Sequence, residues 1–389
     1  MVIKEKIRNN ICMNAHPEGC RVQVREQVEY VQSQGRIDGP KKVLIIGASG
    51  GYGLASRITA AFGTGADTIG LVFEKEPTEK RPGTAGYYTS QEFDKLAKAE
   101  GLKSITVNDD AFSHETKQTL ISIIQKEFGT LDMVIYSLAS GVRKDPETGE
   151  VYRSVLKPIG SNFSAKSVDA MKGEITDFSI EPANEKEIAD TVKVMGGEDW
   201  KLWIDALQAA NVLSEGCVTL AYSYIGPEVT HAVYRDGTIG KAKEHLEKTA
   251  HELMNTLQEV NGKAYVSVNK ALVTRASAVI PVVPLYLSIL FQVMKEKGIH
   301  EGCIEQIYRL FTEKLHDRKA FETDQKHRIR LDDWEMRKDV QKAVDEIWPT
   351  VTTENIYDVT DLKGYQRDFL HLHGFGYDQI DYEADVDIQ

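Results

Sequence analysis

A continuous apolar run, Val43-Leu44-Ile45-Ile46, passes directly into three glycines, Gly47, Gly51 and Gly53, and then into a helical pattern of Leu54, Ile58, Ala61 and Phe62. Few folds accommodate that order. A run without polar residues suits a strand buried on both faces of a parallel sheet. Glycine lets the chain turn sharply from strand to helix and lets the backbone approach a pyrophosphate. The helix N-terminus then offers free N–H groups and the positive end of its dipole to phosphates. Two other readings compete with a dinucleotide turn. One is a plain glycine-rich turn. The other is a hydrolase nucleophile elbow, because Gly47-Ala48-Ser49-Gly50-Gly51 fits G-x-S-x-G. Against the elbow, only the first forty residues, mostly polar, precede the strand, and no His-Gly-Gly-Gly segment lies nearby. Gly53 also has no role in an elbow.

The next apolar run, 68–73, ends in Phe73 and Glu74. A carboxylate there accepts a hydrogen bond from an adenosine 2′-hydroxyl and repels a 2′-phosphate, which predicts NADH over NADPH. Lys75, Lys80 and Arg81 follow closely and could serve a phosphate instead. An exposed loop carboxylate is the plainer alternative for Glu74.

The alternation continues. A helix is expected over 91–100, a strand over 102–108 ending in Asp109-Asp110-Ala111, a helix over 113–128, and a buried strand over 131–139 ending in Leu138-Ala139. Strands separated by helices imply a right-handed parallel sheet covered on both faces, with ligand across the carboxyl ends of the strands. Asp110 and Ala111, and Leu138 and Ala139, fall on that side. Asp110 could accept from an adenine amino group or simply cap the following helix. Ala139 leaves room for a nicotinamide ribose. The pattern then loosens over 141–200, as an insertion would. A helix is expected over 200–210, a short strand over 217–221, a long helix over 241–260 and a strand over 264–268. The fold class is therefore α/β, a doubly wound parallel-sheet Rossmann fold with large insertions and a helical C-terminal extension. As one enlarged domain, it divides into a dinucleotide-binding first half (40–140), the insertion (141–200), a catalytic and substrate-binding half (201–300) and the extension (301–389).

The chain of 389 residues carries a net charge of −12 and no Lys/Arg-rich run, which argues against nucleic acid and anionic membranes as partners. Cys12, Cys20, Cys217 and Cys303 show no C-x-x-C or zinc spacing and read as free thiols of a cytoplasmic protein. No metal site is expected. The N-terminus lacks a signal-peptide core. Residues 276–294 carry no charge, but Pro281 and Pro284 interrupt them. They read as a buried strand and loop over 278–283 leading into a helix from Pro284, forming either plain core or core that also lines an acyl pocket.

Chemistry concentrates in Tyr222-Ser-Tyr224 and in Tyr234-Arg-Asp-Gly-Thr-Ile-Gly-Lys-Ala-Lys243. A tyrosine hydroxyl can protonate or hydrogen-bond an oxygen that gains charge, and a nearby lysine favours the phenolate left behind. Lys241 also stands close to Tyr234 in sequence, at Y-x6-K, against Y-x8-K for Lys243.

Several blocks together resemble the trans-2-enoyl-CoA reductases, a family that includes the V-type enoyl-acyl-carrier-protein reductases. They are Asn-Ala-His16-Pro-Glu-Gly-Cys20, the glycine turn through Arg57, Val-Met-Gly-Gly-Glu-Asp-Trp200, Ala-Tyr-Ser-Tyr-Ile-Gly-Pro-Glu228, the 234–243 block, and Ser-Val-Asn-Lys-Ala-Leu-Val-Thr274. The resemblance spans essentially the whole chain. It implies an enlarged relative of the short-chain dehydrogenases, with Tyr234 as proton donor, Lys243 as its partner at the cofactor and Tyr224 at the substrate thioester. It also implies that NADH is lined by Gly47, Ala48, Ser49, Gly50, Gly51, Tyr52, Phe73, Glu74, Asp110, Ala111, Leu138, Ala139, Lys243, Leu272, Val273 and Thr274. The segment 365–376 resembles a piece described as FAD-binding, but no second glycine-rich turn accompanies it, so flavin is not expected. His371 and His373 read as part of a C-terminal turn.

The implied reaction adds hydride to C3 of an enoyl-CoA or enoyl-acyl-carrier-protein thioester, puts enolate charge on the thioester oxygen and protonates C2, as fatty acid synthesis requires. A donor aimed at that oxygen contributes about 10²–10³ in rate. A ketone/alcohol dehydrogenase and a non-catalytic NAD-binding protein are the alternatives. A monomer is expected.

Overall fold

The structure is a computed structural model that describes residues 1–8, 10–315 and 321–389. Seven strands form its central sheet: β1 Lys42–Ile46, β2 Asp67–Val72, β3 Ser104–Asn108, β4 Leu131–Tyr136, β5 Leu213–Ser223, β6 Lys263–Val268 and β7 Arg328–Arg330. Their order is β3-β2-β1-β4-β5-β6-β7, and every neighbouring pair is parallel. The chain winds outward from β1 to β3, then returns to place β4 on the other side of β1, where Ile46 pairs with Tyr136. A crevice opens at such a reversal, outside the carboxyl ends of the strands.

Alternate side chains of β1 and β4 feed two cores, as the period of two demands. Val43, Ile45, Met133 and Ile135 pack under the helices Pro17–Ser33, Gly51–Ile58 and Cys303–Arg309 through Val28, Leu54, Ile58 and Ile307. Leu44, Ile46, Val134 and Tyr136 face His114–Glu127, Glu198–Ala209 and Thr238–Thr256 through Leu120, Trp200, Trp203 and Leu246. Val43 to Ile46 are wholly buried, and each such side chain contributes roughly 1.5–3 kcal/mol by leaving water.

The insertion between β4 and β5 builds two antiparallel hairpins, Val142–Lys144 with Val151–Arg153 and Phe163–Asp169 with Glu174–Ile180. The helix Glu185–Met195 follows, opened by a capping box between Asn184 and Glu187. β5 is longer than the 217–221 run suggests, because an irregularity between Leu213 and Val218 extends the pairing past Gly216, whose φ is +72°.

The expected strand over 278–283 is not present. Ser277–Val279 is a single 3-10 turn, and the helix starts at Val283 with Pro284 in its first turn. Alternation could not separate the two readings in an uninterrupted apolar run. The helix Val283–Glu296 makes a third core with Val340, Val344, Leu362, Tyr365 and Phe369. Beyond 301 the regular structure is helical except for β7, a three-residue strand too short to show a period, and long turns separate these elements. Residues 316–320 of this extension lie outside the described residues. Among the described residues, no helix is long and apolar enough to cross a membrane.

Candidate active site

The segments expected to hold cofactor and substrate, apart from 234–243, emerge at the carboxyl edge of the sheet. Gly47 follows β1, Phe73 and Glu74 follow β2, Asp110 and Ala111 follow β3, Leu138 and Ala139 follow β4, Tyr224 follows β5, and Leu272, Val273 and Thr274 follow β6. The 234–243 block closes over this edge, since Tyr234 packs on Tyr224.

The glycine turn is sterically closed to other residues. Gly47 has φ +88°, and a Cβ there would lie 2.4 Å from the Ser137 carbonyl oxygen. A Cβ on Gly53 would lie 1.9 Å from the carbonyl oxygen of Gly47. The helix Gly51–Ile58 has Gly50 as its N-cap and no side-chain cap, so its first N–H groups stay open to a phosphate. Thr274 sits beside Gly51 and is pinned by Ser277, whose hydroxyl accepts from Thr274 N at 2.8 Å. The Tyr52 hydroxyl is engaged within the fold. Its hydroxyl donates to the Lys270 carbonyl at 2.5 Å and so ties the glycine turn to the end of β6.

Ser49 is no nucleophile. Its hydroxyl donates to Glu74 at 2.5 Å and accepts from Arg275 at 3.2 Å, and among the described residues no histidine bonds to it. Arg275 also grips Glu74 at 2.9 and 3.4 Å. Burial pushes the Glu74 carboxyl up, but the Arg275 charge and the hydrogen bonds to Arg275, Ser49 and Thr84 outweigh it and hold the group below its ordinary range. Lys75, Lys80 and Arg81 are exposed and make no ion pair with Glu74. Phe73 is exposed. Arg275 stands one residue past the expected cofactor segment, so its position was a usable signal.

Asp110 uses one carboxylate oxygen locally, accepting from Phe112 N at 2.9 Å. Beneath it lies a buried cluster. Lys117 donates to the Ala111 carbonyl at 2.9 Å and pairs with Asp199 at 2.8 Å, Tyr136 donates to Asp199 at 3.1 Å, and Trp203 donates to the Ala111 carbonyl at 3.1 Å. The Gly-Glu-Asp-Trp200 block thus supports the Ala111 loop from below. Leu138 is half-buried against Gly47, and Ala139 is exposed.

Tyr224 and Tyr234 come together edge to face, ring centroids 5.2 Å apart. Tyr234 lies in a turn whose carbonyl accepts from Gly237 and Gly240, and a Cβ on Gly240 would strike the Arg235 carbonyl at 1.7 Å. The two lysines take different directions from the helix Thr238–Thr256. Lys241 is exposed and pairs with Glu244 at 2.9 Å. Lys243 turns inward and donates to the Tyr222 carbonyl at 3.2 Å. Burial pulls its ammonium down to about 8 against the attraction of Glu247. Burial alone drives the Tyr234 phenol well above its ordinary value, and the Tyr234 and Lys243 side chains share no hydrogen bond.

One buried neighbour of Tyr224 had no signal in the sequence. Glu335, after β7, is fully buried and accepts from Tyr224 at 3.2 Å, Tyr286 at 2.7 Å and Ala271 N at 2.7 Å.

An open glycine cradle, a β1/β4 crevice and inward tyrosine and lysine side chains define a Rossmann-type oxidoreductase site. The chain belongs to the trans-2-enoyl-CoA reductase family. The family's catalytic-region model matches residues 81–316, and its NAD(P)H-binding-domain model matches 2–79. An enoyl-[acyl-carrier-protein] reductase [NADH] of Cytophaga hutchinsonii is 56% identical over 99% of this chain and 98% of its own. The trans-2-enoyl-CoA reductase of Treponema denticola, solved in complex with NAD, superposes with a TM-score of 0.96 at 55% identity, covering 99% of this chain and 98% of its own. That of Clostridium acetobutulicum, solved with NADH, gives 0.97 at 47% identity, over 100% and 98%.

A third model, described as an enoyl reductase FAD binding domain, matches 323–386. The residues there do not fit a flavin site. Leu362, Tyr365 and Phe369 are buried in core, His371 stacks on Tyr377 with centroids 4.0 Å apart, and within 323–386 no glycine turn joins a strand to a helix.

Proposed function

We infer that this chain reduces the trans-2 double bond of enoyl thioesters with NADH, in the cytoplasm and as a monomer. The observation that carries this reading is the contact of Tyr224 with Tyr234 at the sheet edge that also bears the glycine cradle. The relatives named for CoA and for acyl-carrier-protein substrates share the thioester, which is the group the site must polarise.

The glycine turn and the first turn of Gly51–Ile58 would hold the pyrophosphate, Glu74 the adenosine ribose, and Thr274 and Ala139 the nicotinamide end. NADH, when bound, supplies the hydride that reaches C3. The chain's own residues manage the charge and the proton. Tyr224 donates to the thioester oxygen as it gains charge. Tyr234, kept neutral by burial, delivers a proton to C2. Lys243 supplies a positive charge held beneath the tyrosines by Tyr222 O. Tyr234 is buried and Tyr224 packs on apolar core, so their interactions act at a low local dielectric.

The test follows NADH absorbance with crotonyl-CoA, with acetoacetyl-CoA and with no acceptor. Oxidation only with crotonyl-CoA is expected. Oxidation with the ketone would identify a dehydrogenase, and tight NADH binding without turnover would identify a non-catalytic binder.

A further inference from the structure

We propose that Glu335 is a positioning residue for this reaction, whose carboxyl decides where Tyr224 points its hydroxyl hydrogen. This inference rests on Tyr224 being the donor to the thioester oxygen.

Three groups already donate to Glu335. Tyr286 and Tyr224 donate to Oε1, and Ala271 N donates to Oε2. A carboxylate accepts only, so while Glu335 is ionised the Tyr224 hydrogen lies on Glu335 and is lost to the substrate. A protonated Glu335 can donate to the Tyr224 oxygen. Tyr224 then has its own hydrogen free to aim at the thioester. The carboxyl is thus a two-position switch one hydrogen bond behind the substrate contact. No element of the inferred mechanism uses it, yet it is fully buried.

The surroundings set the balance near neutrality. Burial raises the carboxyl, the Ala271 N–H, the Lys270 ammonium and the Tyr286 hydroxyl lower it, Asp332 raises it, and the result is about 7. Lys270, after β6, is itself buried and donates to the carbonyls of Ala271 and Glu301. Tyr52 from the glycine-turn helix, Tyr286 from Val283–Glu296, Tyr234, Glu301 and Cys303 are the other titratable groups that face this cluster. Below pH 7 the neutral acid frees Tyr224, and above it the carboxylate captures the Tyr224 hydrogen.

The test compares kcat/KM for NADH and crotonyl-CoA across about pH 6–9 in wild type, Glu335→Gln, Tyr224→Phe and the double variant. Gln keeps the volume and donates at every pH. Glu335→Gln is expected to move the alkaline fall up by about one pH unit, leaving the fall due to Lys243. The double variant should match Tyr224→Phe. An unchanged alkaline limb in Glu335→Gln overturns the proposal, as a residue that only supports the fold would leave it. An unaltered kcat/KM in Tyr224→Phe overturns the underlying thioester assignment as well. A fall in Tyr224→Phe with an unmoved Glu335→Gln limb overturns this inference alone. Should Glu335→Gln not fold, infrared titration of the wild-type enzyme decides. A protonated-carboxyl band that disappears through neutral pH supports the switch, and its absence overturns it.

Discussion

The rings of Tyr224 and Tyr234 meet edge to face with centroids 5.2 Å apart, although one ends a sheet strand and the other lies in the turn before a helix. This contact joins the inner sheet to the block that carries Lys243. An edge-to-face pair of this kind contributes about 0.5–1.5 kcal/mol beyond its buried area, so it also holds the two hydroxyls in a defined relation.

Replacing Tyr234 by Phe keeps that ring contact and removes only the hydroxyl. Turnover with crotonyl-CoA is expected to fall about 10²–10³-fold, with NADH affinity within about twofold of wild type. Steady-state kinetics and NADH fluorescence titration check this. A near-wild-type kcat would remove Tyr234 from the mechanism.

Lys243 pits stability against function. Its folded-state value lies near 8, below that of an unfolded lysine. Between those values the unfolded chain binds more protons, so stability rises with pH through about 8 to 10. Lys243→Met is therefore expected to stabilise the protein at pH 7, by about 1–2 kcal/mol, while weakening NADH binding. Thermal melts at neutral and alkaline pH show whether the gain shrinks as pH rises. A destabilised variant would contradict the assignment of Lys243 as a strained, buried cation.

Glu74, paired with Arg275, is the carboxylate proposed to reject a 2′-phosphate. Glu74→Ala frees an arginine at the adenosine ribose and is expected to lower the NADH/NADPH ratio of kcat/KM at least about tenfold. Arg275→Ala should leave the preference for NADH intact, because the carboxylate that rejects a 2′-phosphate remains. Paired assays with the two cofactors distinguish these outcomes.

The Lys117–Asp199 pair lies almost wholly out of water beneath Ala111. Asp199→Ala strands a buried ammonium and is expected to cost about 3–5 kcal/mol. NADH affinity should drop with it, since the Ala111 carbonyl loses its supported position. Denaturant unfolding and NADH titration of the same variant measure both.

Gly53→Ala places a methyl carbon 1.9 Å from the Gly47 carbonyl, so backbone must shift against backbone. A loss of about 1–3 kcal/mol is expected, together with weakened NADH binding. Wild-type cofactor affinity in this variant would show that the turn tolerates displacement.

Local rules carried much of the fold because its signals were local. The run at β1, the glycines after it and the Ser113 cap of His114–Glu127 each depend on neighbours in sequence. The 278–283 segment misled because an unbroken apolar run has no period to read. β7 escaped notice because three residues set between turns carry too little pattern. Among site residues, the choice between Lys241 and Lys243 needed the helix placed against β5 before one lysine could be seen to face inward.

Sequence alone determined that a strand–glycine–helix turn stands within an α/β alternation, and that two tyrosines and a lysine accompany it. Those features follow from backbone sterics and from periodicity, which act over a few residues. Tertiary structure decided the partners. It placed Arg275 on Glu74 and Ser49, Lys117 and Asp199 under Ala111, and Glu335 behind Tyr224 from 111 residues away. Charges and hydrogen bonds act through space, and only the folded sheet brings its carboxyl ends close enough for burial to shift these groups away from their ordinary protonation.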